Sequence, residues 1–258
     1  MMSNLKLEKI ANTAVVTFNN PPAHTWTFDS LAELRDLVLA LNRDCDIYAL
    51  VLTGDGDKFF SAGADLKVFA DGDKKVAAEM ADIFGQAFET LSNFRGVSIA
   101  AINGYAMGGG LEVALACDLR IAEQGAQMAL PEATVGLLPC AGGTQNLHIL
   151  VGEGWAKRMI LCGERVDAER AERIGLVEEV VEKGTSLSAA LDLAQKVSKQ
   201  SPVAVAACKK LVQGHRQRSL TDNLPQERTA FVELFDSQDQ REGVNAFLEK
   251  RPPVWQNK

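Results

Sequence analysis

The sequence predicts an α/β fold, and three observations carry that prediction. Apolar, β-branched segments alternate with segments of helical periodicity through the first half of the chain. Glycine-rich stretches stand at the strand-to-helix junctions, and strand-like segments become scarce after about residue 144, where helices take over. Strand, helix, strand in this order implies parallel pairing through right-handed crossovers.

TAVVTF at 13–18 is β-branched and apolar and reads as a strand. NNPPAHT follows as a loop, because two prolines cannot continue a ladder. Over 30–41, Leu31, Leu34, Leu37, Val38 and Leu41 recur at helical spacing. IYALVLT at 47–53 reads as a buried strand closed by GDGD. A helix fits 74–92, with Val76, Met80, Ile83, Phe84, Ala87 and Leu91 on one face. VSIAAI at 97–102 is a third buried strand, stopped by Asn103-Gly104. The three glycines at 108–110 then open the apolar helical stretch LEVALAC, and DLRIA at 118–122 and AQMAL at 126–130 read as short strands.

Beyond residue 144 only LVEEVV at 176–181 reads as extended; 153–162, 167–174, 186–199, 202–213, 225–236 and 240–250 read as helices. Ser201-Pro202 places a capping side chain before a proline at the first helical position. The last two helices carry Phe231, Leu234, Phe235, Val244, Phe247 and Leu248. That apolar surface must cover the core or a neighbouring subunit.

A chain of 258 residues makes one large domain, or one with a small appendage. Its 47% hydrophobic and 24% charged content excludes a disordered chain. No apolar run approaches the roughly 18 residues of a membrane span. MMSNLKLEKIANTAVV carries charges where a signal peptide needs an apolar stretch, so a cytoplasmic protein with no membrane partner is expected. The net charge of −7 gives no field that attracts a polyanion, so no nucleic-acid partner is expected. Cys45, Cys117, Cys140, Cys162 and Cys208 are odd in number and widely spaced, which supports reduced thiols rather than a disulfide framework or a metal site. His24, His148 and His215 lie far apart and suggest neither a metal site nor a Ser-His-Asp triad.

Three glycine-rich stretches could carry chemistry: FSAGADL at 60–66, NGYAMGGGLE at 103–112 and PCAGGTQ at 139–145. None matches a dinucleotide or phosphate-loop pattern. Glycines at such junctions let a ligand approach the backbone, and the first N–H groups of a helix lack internal partners. Two such N–H groups aimed at one point form an oxyanion hole, and Ala64 and Gly109 are positions that could supply them. The same glycines also fit plain tight turns. Glu112 stands in the first turn of an otherwise apolar helix, and Glu132 follows Pro131 at the end of an apolar strand. Glu112 fits either a solvated helix-start acid or a partly buried carboxylate; burial raises its pKa while the helix dipole lowers it. Two carboxylates beside an oxyanion hole can move protons next to a thioester or other carbonyl.

Taken together, FFSAGADLK at 59–67, AAINGYAMGGGLEVALACDLRIA at 100–122, LPEATVGLLPCAGGTQ at 130–145, the Gly-Leu at 175–176 and DQREGVNAFLEKR at 239–251 resemble the crotonase (enoyl-CoA hydratase/isomerase) family from end to end. The resemblance implies a spiral of repeated ββα units over 1–195, holding the acyl-CoA site. A helical C-terminal region over 196–258 would cap that site and join subunits as a homotrimer or a hexamer made of two trimers. It places the thioester oxygen on the N–H groups of Ala64 and Gly109. It puts CoA contacts at Ala62, Asp65, Leu66 and Lys67, with Lys58 or Lys67 either at the CoA phosphates or simply solvated. Glu112 and Glu132 match the two acids of the hydratases, whereas the isomerases tend to work with one, at the position of Glu132. The expected reaction is therefore water addition across C2=C3 of a 2-enoyl-CoA, with a Δ3,Δ2-enoyl-CoA isomerase or a related acyl-CoA lyase as the alternative. No metal or redox cofactor is expected, since CoA is part of the substrate. A non-catalytic, RNA-associated relative is disfavoured by the net charge and the intact acid pair. NNPPAHTW at 19–26 departs from the commoner family loop, so His24 and Trp26 are expected either to shape the CoA entrance or, for Trp26, to pack in the core. Loop 68–75 is expected to border the acyl pocket.

Overall fold

The computed structural model describes residues 4–258 apart from His215 and Gln217, so His215 falls outside the described residues. A six-stranded sheet has the order β1-β2-β3-β5-β7-β10, from β1 (Leu5–Ile10), β2 (Thr13–Phe18), β3 (Ala49–Gly54), β5 (Val97–Ile102), β7 (Leu119–Glu123) and β10 (Glu179–Val181). All its neighbours are parallel except the β1–β2 hairpin. A smaller sheet has the order β4-β6-β8-β9, from β4 (Phe59–Ser61), β6 (Tyr105–Met107), β8 (Gln127–Ala129) and β9 (Val166–Asp167). The helices are α1 (Phe28–Arg43), α2 (Lys74–Ser92), α3 (Gly109–Ala116), α4 (Gly143–Leu161), α5 (Ala168–Arg173), α6 (Ser186–Ser198), α7 (Pro202–Gly214), α8 (Leu220–Glu233) and α9 (Gln238–Glu249).

Chain order shows the repeat. β3-β4-α2, β5-β6-α3 and β7-β8-α4 each place one strand in the large sheet, the next in the small sheet, and then a helix. This is the ββα spiral implied by the resemblance. The central strands are buried on both faces, which is why they read as unbroken apolar runs. Side chains alternate between two cores. Val16, Leu50, Leu52 and Ala100 face the core shared with α1, α2 and α3. Val15, Val51, Ile99 and Ile121 meet Ala190 and Ala194 of α6 on the other face.

Six elements differ from the sequence expectation. LKLEKI forms edge strand β1, whose five exposed positions tolerate the charges that hid it. β4, β6 and β9 are two or three residues long, too short for a periodicity to register. The helix expected from 153 starts at Gly143, and Gly152, at φ 75°, splits α4 into two segments. The helix expected from 225 starts at Leu220: Ser219 caps it by accepting from the Asp222 N–H, and Pro225 lies inside, where it removes one backbone bond.

Among the described residues every strand lies before residue 182, and α6, which covers the large sheet, runs past 195 to Ser198. Beyond it, α7 is mostly half-buried, with Lys209 donating to the Phe94 and Gly96 carbonyls, whereas α8 has no buried residue. Phe231 is 61% exposed, Phe247 83% and Leu248 71%. The tail returns to the body: the Gln256 and Asn257 N–H groups donate to buried Asp239, and Arg95 donates to the Asn257 side chain.

Candidate active site

The loop after β4 is pinned from one side by residues 23–26. The Ser61 hydroxyl donates to the His24 carbonyl (2.8 Å), and the Ala62 N–H donates to the Ala23 carbonyl (2.9 Å). Trp26 brackets Ala64: its N–H donates to the Gly63 carbonyl (2.8 Å) and its carbonyl accepts from the Asp65 N–H (3.1 Å). The N–H of Ala64, between these two bonds, has no acceptor among the described residues. From the other side, the same loop lies against the start of α3. A Cβ on Gly63, whose φ is +89°, would stand 2.7 Å from the Met107 carbonyl oxygen and 3.1 Å from the Gly109 nitrogen. One on Gly110 would stand 2.0 Å from the Ser61 carbonyl oxygen, so only glycine admits this approach. Gly109 opens α3, and its N–H, one of the unpaired donors of a helix start, also has no acceptor among the described residues. The two N–H groups therefore sit on backbone segments in direct contact.

Every residue of α3 is buried, Glu112 included, at 3% exposure. Its Oε1 accepts from the N–H groups of Ala141 (2.8 Å) and Gly143 (2.9 Å). The third glycine-rich stretch thus holds this carboxylate. Burial pushes the Glu112 pKa up, against the pull of the two N–H donors. Glu132 begins a short 3-10 turn, Glu132–Val135. Its Oε1 faces Gly108, 3.1 Å from where a Cβ there would stand, and its buried Oε2 has no hydrogen-bond partner. Burial first, then the neighbouring Glu112 charge, push Glu132 up to about 7.

Both carboxylates line one cavity of about 520 Å³, together with Ala62, Ala64, Leu66 and Gly109. The other expected contact residues lie elsewhere. The Asp65 carboxylate accepts from the Lys67 N–H (3.1 Å) and caps the 3-10 turn Leu66–Phe69, while Lys67 is exposed. Lys58 borders a separate cavity with Asp57, Tyr105 and Lys183, and its Nζ lies 5.3 Å from the centre of the Phe59 ring. Of loop 68–75, Phe69 reaches the site cavity. Cys140, inside the PCAGGTQ stretch but given no role from the sequence, lines the cavity too; burial and the two glutamates push its thiol up to about 11.

His24 and Trp26 are not at an entrance. Both are buried, and Trp26 packs edge-on against Phe18 and Phe88 behind the site. Trp26→Ala is expected to cost about 3–5 kcal/mol of stability, the range for emptying an aromatic core position. Trp26→Phe should cost far less, because the indole N–H has no acceptor to lose. Urea midpoints of the two variants check this. Among the described residues, no group of three or more His, Cys, Asp or Glu is placed to hold a metal ion, and no helix is long and apolar enough to cross a membrane.

The family model described as enoyl-CoA hydratase/isomerase matches residues 8–258. The chain belongs to the enoyl-CoA hydratase/isomerase family. Among its relatives, a short-chain-enoyl-CoA hydratase of Clostridium acetobutylicum is 37% identical over 97% of this chain and 96% of the relative. A 2,3-dehydroadipyl-CoA hydratase of Escherichia coli is 39% identical over 98% of both chains. Among solved structures, Pseudomonas aeruginosa DspI is 69% identical with a TM-score of 0.96, covering 98% of this chain and 97% of that one. As in other members of the enoyl-CoA hydratase/isomerase family, the strand-and-helix spiral extends over most of the chain and ends in helices.

Proposed function

We propose that the chain is an enoyl-CoA hydratase, adding water across C2=C3 of a 2-enoyl-CoA thioester. The observation that carries this is the meeting of two carboxylates in one cavity beside two backbone N–H groups with no protein acceptor. The Ala64 and Gly109 N–H groups hold the thioester oxygen and stabilise the enolate-like charge as water attacks C3. Glu112 takes the proton of that water, and Glu132 delivers a proton to C2. The hydrogen bonding supports this division of labour. Two N–H donors favour the carboxylate form of Glu112, while Glu132, with an unpartnered buried oxygen, favours the acid.

CoA runs along Ala62, Asp65, Leu66 and exposed Lys67, with Lys58 at the far end of its reach, and the reaction uses no further cofactor. The exposed apolar faces of α8 and α9, in the region 196–258, join copies of the chain as a trimer or a hexamer. The setting is cytoplasmic fatty acyl-CoA metabolism of the β-oxidation type. One observation favours the isomerase alternative: Oε1 of Glu112 is engaged by two N–H groups, as in a site that works with Glu132 alone. Its other oxygen has no hydrogen bond among the described residues, which leaves it able to hold water. Loss of the conjugated-thioester absorbance of crotonyl-CoA is the expected result. A protein that leaves crotonyl-CoA unchanged but conjugates a 3-enoyl-CoA is an isomerase instead.

A further inference from the structure

The walls of the 520 Å³ cavity are one-sided in charge. Among the described residues, no Lys, Arg or His lines it; its ionisable groups are Glu112, Glu132 and Cys140, all of the acidic kind. The remaining wall away from the carboxylates is apolar: Phe69, Ala77 and Ala81, the last two one turn apart on α2, face the 130s segment with its Leu137 and Leu138. The rim continues in the same character, since Leu66, Val135, Leu137 and Leu138 are large apolar side chains left exposed around the opening. The one hydroxyl of the lining, on Thr134, is engaged as a donor to the Pro131 carbonyl (2.7 Å).

We infer that the site selects 2-enoyl thioesters whose acyl tail is an uncharged aliphatic chain, and rejects tails ending in a carboxylate. This rests on the hydratase reading above. A tail carboxylate entering the cavity would leave water without gaining a cation or a free side-chain donor. It would also lie beside the Glu112 carboxylate, so desolvation and like-charge repulsion act in the same direction. Sites that accept a carboxylate supply a guanidinium or ammonium for it, and none faces this cavity among the described residues. An aliphatic tail meets an apolar wall instead, in a volume well above the roughly 30 Å³ that one water occupies.

The test compares 2-hexenoyl-CoA with 2,3-dehydroadipyl-CoA, which share the thioester, the double bond and a six-carbon chain and differ in the terminal carboxylate. The expected kcat/KM is about 100-fold higher for the hexenoyl thioester, the consequence of leaving one charge unpaired. A ratio below about tenfold overturns the inference while leaving the hydratase reading intact. Ala77→Arg and Ala81→Arg each place a cation on the apolar wall, and at least one should narrow the ratio to within about tenfold by improving the dehydroadipyl thioester. If neither thioester is hydrated, the hydratase reading fails. The tail preference is then read without chemistry, from the Kd values of hexanoyl-CoA and adipyl-CoA on the wild-type protein. Tighter hexanoyl-CoA binding supports the inference and equal binding overturns it.

Discussion

Glu132→Gln is expected to lower crotonyl-CoA hydration by about 10²- to 10⁴-fold, the usual worth of one positioned acid–base group. The substitution keeps the size of the side chain and removes only its ability to give up a proton. Glu112→Gln should lose at least about 10²-fold as well, because an amide cannot take the proton of the attacking water. The double variant should lose less than the product of the two, since both groups act on one water and one substrate. A Glu112→Gln enzyme that hydrates crotonyl-CoA near the wild-type rate would remove the two-acid hydratase reading and leave the isomerase resting on Glu132.

The same residue sets a pH dependence whose sign is fixed. Glu132 is pushed from 4.5 up to about 7, so between those values the folded chain holds a proton that the unfolded chain has released. Its contribution to stability is fully present below pH 4.5, falls as pH rises towards 7, and is constant above. Glu132→Gln should therefore be more stable than wild type at pH 8, by a margin that closes towards pH 4.5, as urea midpoints at the two pH values would show. In the active enzyme the proton donor is lost above about pH 7, so wild-type kcat/KM should fall there. Equal stability of Glu132→Gln and wild type at pH 8 would mean that the carboxyl is not held in the raised state.

How much of this was legible in the sequence depended on what each residue faces. Strands β2, β3 and β5 are buried on both sides, and a continuous apolar run is the direct print of that environment. β1 carries Lys6, Glu8 and Lys9 because every position of this edge strand except Leu5 is exposed, so no buried apolar run marks it. The first half of α4 mixes Gly143, Thr144, Gln145, Asn146 and His148 with buried Leu147, so no apolar stripe announced it. Ala64, Gly109, Glu112 and Glu132 stood out through the glycine-rich stretches and their family pattern, and the fold brings all four to one cavity. The use of the Ala141 and Gly143 N–H groups was not readable, because it depends on α3 and the start of α4 meeting across about thirty residues of chain. Trp26 was half readable. Its large ring follows the aromatic neighbours Phe18 and Phe88 inward rather than the loop outward.

Gly63→Ala should abolish most of the activity without touching either glutamate. Its methyl group would stand 2.7 Å from the Met107 carbonyl oxygen and 3.1 Å from the Gly109 nitrogen, and both are backbone atoms with no side-chain freedom to yield. Relief requires the loop after β4 and the start of α3 to separate, which moves the Ala64 and Gly109 donors off a common oxygen. Losing a single oxyanion donor costs about 10²- to 10³-fold, so a loss of at least about 10² in kcat is expected. A backbone-strain control exists in the same chain. Gly125, in the turn between β7 and β8, has φ +91°, beside +89° for Gly63, yet nothing lies within 4 Å of a Cβ placed there. Alanine at either position meets the left-handed backbone penalty of about 1–2 kcal/mol. Only at position 63 does it also meet the opposite segment. Gly125→Ala should therefore lose stability and retain hydration within a few fold, whereas Gly63→Ala should lose both, measured by urea midpoint and crotonyl-CoA turnover on the two variants side by side. Equal turnover by the two would show that the contact between these segments does not set the donors, and the oxyanion hole would have to be sought on other N–H groups of the cavity.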